Sequence, residues 1–490
     1  MSTKRSFKAA LLMMGRLLQT LSMLAIAALL SRLLLKEDYA GYRQTFMVFN
    51  LALPLLTLGL PEGLYYFLPL KPERGRQLLS TNVTLLMGSG VIFGVLMWLG
   101  GAAMLAQHFN NAVVQELLLI FSPYPLLMLP LYSIDSVLVA TNRVQELTVF
   151  NICNRLALLC GVVGGALVVG TPQAAVWGAV ISSGVMLGPG LWLMYRAVEG
   201  TAWKPSMASM RTQLGYSVPL GMASALGIVS VNLDKLLVSL TDTPEAFAVY
   251  ANGAMQVPLV GIITGSVTSV LLPEFTAWFA AGNFERLLVV WKSSMVKVSM
   301  IIFPTVVFLF VMAPEVMVVL FSEAYEDSAV PFRIYLMMLP VRVTTFSAIL
   351  MAAGKSRVML AGAAVSLTGN TILSIILIQA MGSLGAAVST VAMVYLWGVP
   401  YPVWHARKLL GTPVSQMFPW GKLAQVMALA LVSAVAFVPA LWWDGPQAPL
   451  ARLALYGALY GAIFAGMCAL LGPLPLDELR RWVKNRFRET

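Results

Sequence analysis

Charged residues are scarce in this chain. Asp, Glu, Lys and Arg make up 11% of its 490 residues, hydrophobic residues make up 59%, and the mean hydropathy is +0.81. A soluble globular protein carries roughly 25% charged residues, because its surface faces water. No polar stretch is long enough for a soluble domain. The composition therefore excludes a separate catalytic module and indicates a chain embedded in a membrane along nearly its whole length.

Residues that usually bind metals or carry catalysis are also few. The chain has three cysteines without metal-ligand spacing and two histidines without a potential ligand nearby. The sequence AAGKS at 352–356 ends like a phosphate-binding loop but lacks the first glycine of that motif. Neither HExxH nor GxSxG occurs. We expect no enzyme activity, no metal site and no cofactor.

Fourteen apolar runs are long enough to cross a membrane, which takes about 20 residues per helix. Polar joints divide them into groups of six, six and two. The sequence predicts an all-α integral membrane protein with about 14 transmembrane helices, in two pseudo-symmetric six-helix lobes plus two C-terminal helices. The predicted parts are a first lobe at 1–196, a cytoplasmic linker at 197–213, a second lobe at 214–408, two extra helices at 409–473 and a basic cytoplasmic tail at 474–490.

A long-period repeat supports the two lobes. The segments 31–69 and 233–273 both cross a short charged turn, reach a tyrosine and continue into an apolar run with prolines. Pro54 and Pro258 are 204 positions apart (258 − 54), as are Pro69 and Pro273. Such a period indicates one multi-helix unit used twice, as in many transporters.

Proline interrupts several of the predicted helices. Pro258 lies within the run 248–276, which is predicted as one helix kinked by the missing backbone hydrogen bond. The helix boundaries around 300–330 stay open.

Basic residues are distributed unevenly between the loops. With the N-terminus inside, predicted cytoplasmic segments hold 21 Lys and Arg residues and external segments hold four. The positive-inside rule predicts this asymmetry, and one missed helix would reverse it. The net charge of +11 therefore indicates membrane orientation and contact with membrane lipid rather than nucleic acid. We expect a multi-pass membrane protein with both termini cytoplasmic.

Polar residues within the predicted helices mark candidate sites, because each is costly in lipid. Four cations from both halves of the chain are candidates for one anion-binding cavity: Arg16, Arg155, Lys235 and Arg342. Six polar residues are expected to share that cavity: Gln19, Asn151, Asn154, Ser224, Asn232 and Asn370. The alternative is that each cation pairs with a buried acid or extends to the membrane surface. The acids expected to be buried, and thus candidates for ion coupling, are Asp135, Asp234, Glu62 and Glu274.

Several segments resemble one family. SRLLLKEDYAGYRQ and LGLPEGLYYFLP are similar to the first two helices of polysaccharide flippases of the O-antigen type. YSVPLGMASALGIVSVNLDKLLVS, VYANGAMQVPL and LLPEF are similar to the seventh and eighth helices, and AAGKSRVMLAGAAVSLTGN and GSLGAAVSTVAMVYLWG to the tenth-to-twelfth segment. These flippases belong to the multidrug/oligosaccharidyl-lipid/polysaccharide exporter superfamily. The resemblance covers roughly residues 10–410.

The resemblance implies two six-helix lobes around a central cavity, alternating access, and an undecaprenyl-pyrophosphate-linked oligosaccharide as cargo. It also implies the bacterial inner membrane and coupling to a proton or sodium gradient, as in an antiporter. A polysaccharide polymerase or synthase is a further expected partner. Three alternatives stay open: a cation-coupled multidrug exporter of the same superfamily, a peptidoglycan lipid II flippase, and a non-transporting scaffold for a synthase. Cations in the helices disfavour the drug exporter, whose cavity is expected to be acidic and aromatic.

Neutralising Arg16, Arg155 and Lys235 together is predicted to abolish flipping, because the cargo pyrophosphate loses its cationic partners. Transbilayer movement of the lipid-linked cargo is the measurement. Lys292 and Lys297, which lie nearer a helix end and are expected to extend to the membrane surface, provide the control when changed to glutamine. Intact flipping in the triple variant would contradict the cationic site.

Overall fold

The computed structural model describes residues 21–438 and 448–471, and within these ranges the chain is helical without a strand. It forms two compact units. Unit 1 runs up to Ala251 and adds Ser374–Ala386, and unit 2 takes Asn252–Leu373 and the residues from Ala387 onward. The predicted all-α membrane fold is confirmed. The predicted lobe boundaries stay a prediction.

Unit 1 consists of long apolar helices joined by short turns. Its helices are α1 Leu21–Leu33, α2 Lys36–Thr57, α3 Leu60–Leu70, α4 Gly75–Leu96, α5 Ala102–His108, α6 Val113–Phe121, α7 Tyr124–Met128, α8 Ser133–Ala140, α9 Val144–Val169, α10 Pro172–Ala197, α11 Met207–Thr241 and most of α12 Pro244–Gly253. A π-helical segment, Met97–Gly101, joins α4 to α5, and a 3₁₀ segment, Leu129–Tyr132, joins α7 to α8.

Unit 2 is built in the same manner. Its helices are α13 Pro258–Ala280, α14 Phe284–Val311, α15 Ala313–Phe321, α16 Ala329–Leu336, α17 Phe346–Ala352, the first part of α18 Ser356–Met381, most of α19 Ser383–Met393, α20 Pro400–Leu410, α21 Val414–Met417, α22 Trp420–Phe437 and α23 Pro449–Leu471. The 3₁₀ segments Glu323–Ser328 and Leu339–Thr344 and the π-helical Val394–Gly398 connect them. The region left open around 300–330 thus holds the end of α14, then α15 and a 3₁₀ turn.

Eleven helical stretches in the described residues are long and apolar enough to cross a membrane, and two shorter apolar helices accompany them, Leu21–Leu33 and Trp420–Val435. The 35-residue α11 is also long enough to span, since a membrane needs about 20 residues. The exact count of fourteen stays a prediction.

The run 248–276 is not one helix, so the expectation of a continuous, kinked helix there is wrong. α12 ends at Gly253 and α13 begins at Pro258, with residues 254–257 outside any helix. Pro258 occupies the first turn of α13, where its missing N–H needs no intrahelical partner. A side chain on Gly253 would collide with Ser328 and Pro331, so glycine lets the end of α12 pack closely there.

Unit 1 contains a close helix crossing between the junction of α2 and α3 and the middle of α11. Leu58 and Gly59 have left-handed backbones, with φ of 49° and 68°, which end α2 and start α3. A Cβ on Gly59 would lie 2.7 Å from the Gly221 nitrogen, and one on Gly221 would lie 2.6 Å from the Gly59 nitrogen. Gly59 and Gly63 face Ser217 and Gly221, and this four-residue spacing of small residues lets membrane helices approach to backbone contact.

Buried amides add polar links around this crossing. The Asn82 amide, fully buried on α4, donates to the Leu60 carbonyl at 2.9 Å and to Gln213 Oε1 at 3.2 Å. Ser133 on α8 donates to Asn82 Oδ1 at 2.8 Å, and Gln213 on α11 donates to the Leu78 carbonyl at 3.0 Å. Four helices are thereby tied by hydrogen bonds made away from water.

Substitution of Gly221 by alanine is predicted to lower the apparent melting temperature in detergent, because the added methyl collides with the backbone of Leu58 and Gly59. Overpacking of this kind costs about 1–3 kcal/mol. Gly227→Ala is the matched control on the same helix, since a Cβ there meets no atom within 4 Å. The crossing has no such role if both variants melt at the same temperature.

Candidate functional site

Unit 2 contains an open cavity of about 770 Å³, which we call the Arg342 cavity. Its walls come from α13, the 3₁₀ segment Leu339–Thr344, α17, α18 and the region where the π-helical segment meets α20. Ligand pockets in proteins usually measure about 300–1,000 Å³. The polar and aromatic side chains of the wall are Thr264, Thr268, Arg342, Thr344, Thr345, Phe346, Ser366, Trp397 and Tyr401.

Arg342 supplies the charge of this cavity. Its side chain is exposed to the cavity and makes no hydrogen bond or ion pair with any described residue. Two positions along the chain, the Thr344 carbonyl accepts a hydrogen bond from Trp291 Nε1 at 2.8 Å. A guanidinium within an apolar helix bundle is costly unless water or an anion solvates it. The cavity is therefore suited to an anionic ligand.

A smaller pocket of about 40 Å³ adjoins the cavity and shares Gly261, Thr264, Met338 and Arg342 with it. The chain break between α12 and α13 supplies part of its wall, through Met255 and Gln256. The N-terminus of α13 lies at this pocket, and the partial positive charge of a helix N-terminus adds to that of Arg342. The pocket is large enough for a water molecule.

Two aromatic rings form one wall of the cavity. Trp397 and Tyr401 stack with centroids 4.7 Å apart and an interplanar angle of 23°. Trp397 Nε1 donates to the Gly362 carbonyl at 3.0 Å, and Tyr401 Oη donates to the Val358 carbonyl at 3.0 Å. Both polar atoms are thus satisfied by α18, which fixes the rings in place.

In unit 1, Lys235 lies beside an acid. Its Nζ is 3.8 Å from Asp234 Oδ2, and the Asp234 side chain is almost fully buried. Tyr250 Oη donates to the same carboxylate oxygen at 2.8 Å. Asp234 is thus the candidate ion-coupling acid that the structure buries. Lys235 follows the alternative given above, in which a cation within a helix pairs with an acid.

Arg155 lies in a different arrangement on α9. Asn151, one turn earlier, donates to Asp135 Oδ1 at 3.2 Å. Arg155 makes no ion pair with a described acid. Asn154 is partly exposed on the same helix. Their role as cavity residues stays a prediction.

The other predicted site residues are dispersed. Asn232 donates to the Ile228 carbonyl of its own helix at 2.9 Å, and the buried Asn370 donates to Thr390 at 3.4 Å. Arg16, Gln19 and the side chain of Ser224 lie outside the described residues. The convergence of the four cations stays a prediction.

The expectation that four acids are buried is wrong for three of them. Glu62, Asp135 and Glu274 have exposed side chains. Each lies in an apolar segment, but on a side of its helix that neighbouring helices leave uncovered. Hydropathy places a residue within a membrane span and does not show which side of the helix is packed.

Sequence reasoning missed most of the Arg342 cavity, although a signal exists. Gly261, Thr264, Gly265 and Thr268 follow the i, i+3, i+4, i+7 spacing that puts residues on one helix face. Met359, Gly362, Ala363 and Ser366 repeat that spacing on α18. Such stripes, made mostly of small residues, indicate either close packing or a cavity wall, and the sequence alone does not separate the two.

Known structures define the fold class. The chain is similar to the lipid II flippase MurJ in an inward closed conformation, at 16% identity and a TM-score of 0.74, over 95% of this chain and 99% of that chain. It is also similar to an inward-facing multidrug resistance MATE family transporter of the MOP superfamily, at 17% identity and a TM-score of 0.67, over 81% and 96% of the two chains. A MOP superfamily transporter from Pyrococcus furiosus matches at 16% identity and a TM-score of 0.59, over 82% and 95%. The fold is that of this transporter superfamily.

Comparison of the sequence with protein-family models identifies the family. Residues 29–330 match the family model described as polysaccharide biosynthesis protein. The chain belongs to this family, and the resemblance to polysaccharide flippases of the MOP superfamily is confirmed. No curated protein matches the sequence.

Changing Tyr250 to phenylalanine is predicted to lower the apparent melting temperature. The variant leaves the buried Asp234 carboxylate without one of its hydrogen-bond donors, which costs about 1–3 kcal/mol. Tyr216→Phe is the control, because this exposed tyrosine stacks on Tyr66 and its hydroxyl has no partner among the described residues. A Tyr250→Phe protein as stable as Tyr216→Phe would show that the hydrogen bond contributes nothing.

Proposed function

We propose that the protein flips an undecaprenyl-pyrophosphate-linked oligosaccharide across the bacterial inner membrane for surface polysaccharide synthesis. The family and the fold support a flippase-type transporter. The observation that carries the choice of an anionic cargo is Arg342. Its guanidinium faces a cavity within an apolar bundle and has no ion pair or hydrogen bond with the residues that the structure describes. A guanidinium can form two parallel hydrogen bonds to phosphate, which makes it suited to a pyrophosphate headgroup.

Alternating access coupled to a proton or sodium gradient is the proposed mechanism. Asp234 is the proposed coupling group, because it is the buried carboxylate among the candidates and has both a cation and a hydroxyl beside it. The membrane potential supplies about 2.3 kcal/mol per charge per 100 mV, which is enough to bias such a cycle. Asp135, Glu62 and Glu274 are the secondary candidates. The exposed Asp135 accepts a hydrogen bond from Asn151.

The proposed cargo also determines the proposed location, ligands and partner of the protein. It lies in the inner membrane with both termini cytoplasmic, as the loop charges predict. The lipid-linked oligosaccharide and membrane lipid are its ligands, and a polysaccharide polymerase or synthase is the proposed partner that receives the flipped cargo.

Flipping of peptidoglycan lipid II is the second candidate, and one observation favours it. The similarity to MurJ extends over 95% of this chain, more than the 81% shared with the MATE transporter. The description of the matching family favours polysaccharide synthesis instead. Multidrug export is disfavoured by the cation in the unit 2 cavity, because a cationic drug would be repelled by Arg342.

The proposed function is tested by export of surface polymer from a strain that lacks this protein. Wild type is expected to restore export, whereas Arg342→Gln is expected to leave lipid-linked repeat units inside the cell. A lost hydrogen bond to a charged group is worth about 1.5–3 kcal/mol, so export falls about tenfold or more. Arg333→Gln is the control: this arginine of α16 donates to the Phe310 carbonyl at 3.0 Å and lies outside the cavity.

The outcomes separate the hypotheses. Full export by Arg342→Gln would overturn the anion-binding role of this residue. No export with wild type, together with restored drug resistance or restored peptidoglycan synthesis, would assign the protein to one of the alternatives. Wild type, Arg342→Gln and Arg333→Gln are compared at equal membrane levels, measured with a fluorescent fusion. A difference in export then does not reflect a difference in expression.

A further inference from the structure

We propose that the Arg342 cavity binds a phosphorylated sugar as one unit, with the phosphate on Arg342 and the adjoining sugar ring on Trp397 and Tyr401. The inference rests on the proposed function for the identity of the natural cargo and deepens it. It assigns the sugar next to the phosphate, rather than the distal sugars or the lipid, as the part of the cargo recognised in unit 2.

The aromatic wall is the first reason. Trp397 Nε1 and Tyr401 Oη are both engaged with carbonyls of α18, so the rings offer an apolar surface at fixed positions. Both residues line the cavity and are only partly buried. The C–H groups on one face of a pyranose ring are apolar, and such a face packs well on an aromatic ring that is already ordered.

The hydroxyl groups around the rings are the second reason. Thr264 donates to the Val260 carbonyl at 2.9 Å and Thr344 donates to the Val341 carbonyl at 2.7 Å, so both oxygens keep lone pairs for sugar hydroxyls. The hydroxyls of Thr345 and Ser366 have no partner among the described residues and are able to donate and accept. A purely apolar ligand, such as a lipid tail, would leave these groups unsatisfied.

The shape of the cavity is the third reason. Added Cβ atoms on Gly261 and Gly265 would meet no atom within 4 Å, so these glycines leave space. A Cβ on Gly362 would lie 2.6 Å from the Tyr401 ring, so this glycine instead seats the aromatic wall. Gly261 and Gly265 thus leave space in the cavity, and Gly362 allows the Tyr401 ring to pack closely beside that space.

The test measures how tightly soluble probes bind to the full-length protein in lipid nanodiscs. Saturation-transfer NMR detects the binding. The probes are glucose 1-phosphate, galactose 1-phosphate, N-acetylglucosamine 1-phosphate and inorganic phosphate. Wild type is expected to bind at least one sugar phosphate about tenfold more tightly than inorganic phosphate. Trp397→Leu is expected to lose that tenfold preference while still binding phosphate, and Arg342→Gln is expected to bind neither.

Gly261→Leu keeps the test decisive if Trp397→Leu does not fold. Gly261 lines the cavity and an added Cβ there meets no atom within 4 Å, so the leucine is expected to occupy cavity space and abolish sugar phosphate binding. Gly188→Leu, in unit 1, is the control because a Cβ there also meets no atom within 4 Å. The proposal is overturned if wild type binds none of the sugar phosphates, or if Gly261→Leu and Trp397→Leu bind them as wild type does.

Comparison with the export experiment separates the two proposals. Sugar phosphate binding without a role in export would support the cavity assignment and contradict the flippase function. Restored export by a protein that binds no sugar phosphate would support the function and contradict the cavity assignment.

Discussion

A polar group within an apolar helix bundle is costly to leave without a partner, and most of the buried amides described above accordingly have one. In unit 1 the buried Gln44 donates to Ser239 at 2.9 Å and accepts from Asn111 at 3.0 Å, while Asn82 joins Leu60, Gln213 and Ser133. Because water is absent from the hydrocarbon, such links are retained once made. Arg342 departs from this pattern, since its guanidinium has no partner among the described residues and opens onto a cavity. The proposal assigns this guanidinium to the charged part of the cargo.

Glycine serves two opposite purposes in the same protein. At Gly59 and Gly221 the missing side chain lets two backbones touch, which fixes the crossing of α11 with the start of α3. At Gly261 and Gly265 the missing side chain leaves empty space beside Arg342. A transporter needs both, because its helices must pack without much hydrophobic driving force between them while leaving room for a polar cargo.

The sequence predicted the fold class well, since hydropathy and loop charge depend on the whole length of a span. It predicted local geometry less well. Residues 254–257 are uncharged, so a window of about 20 residues passes over the break between α12 and α13. Asp234 and Lys235 point about 100° apart on a helix, yet the long lysine side chain reaches back to the carboxylate at 3.8 Å.

The candidate site was found only in part from the sequence. Arg342 was identified because an intramembrane cation is unusual, whereas Trp397, Tyr401 and the threonines around it were not, because aromatic and small residues are common in membrane helices. Their significance depends on which residues face one cavity, and that follows from tertiary packing. The acids show the same limit: all four lie in apolar segments, and only Asp234 of the four is buried by its neighbours.

Flipping by the purified protein alone is the most direct test of the account. Wild-type protein is placed in liposomes with a fluorescent undecaprenyl-pyrophosphate-linked oligosaccharide, an ion gradient is imposed, and loss of fluorescence to an external quencher is followed. The account predicts gradient-dependent movement of this lipid that empty liposomes lack. Movement no faster than in empty liposomes, under either a proton or a sodium gradient, would contradict it.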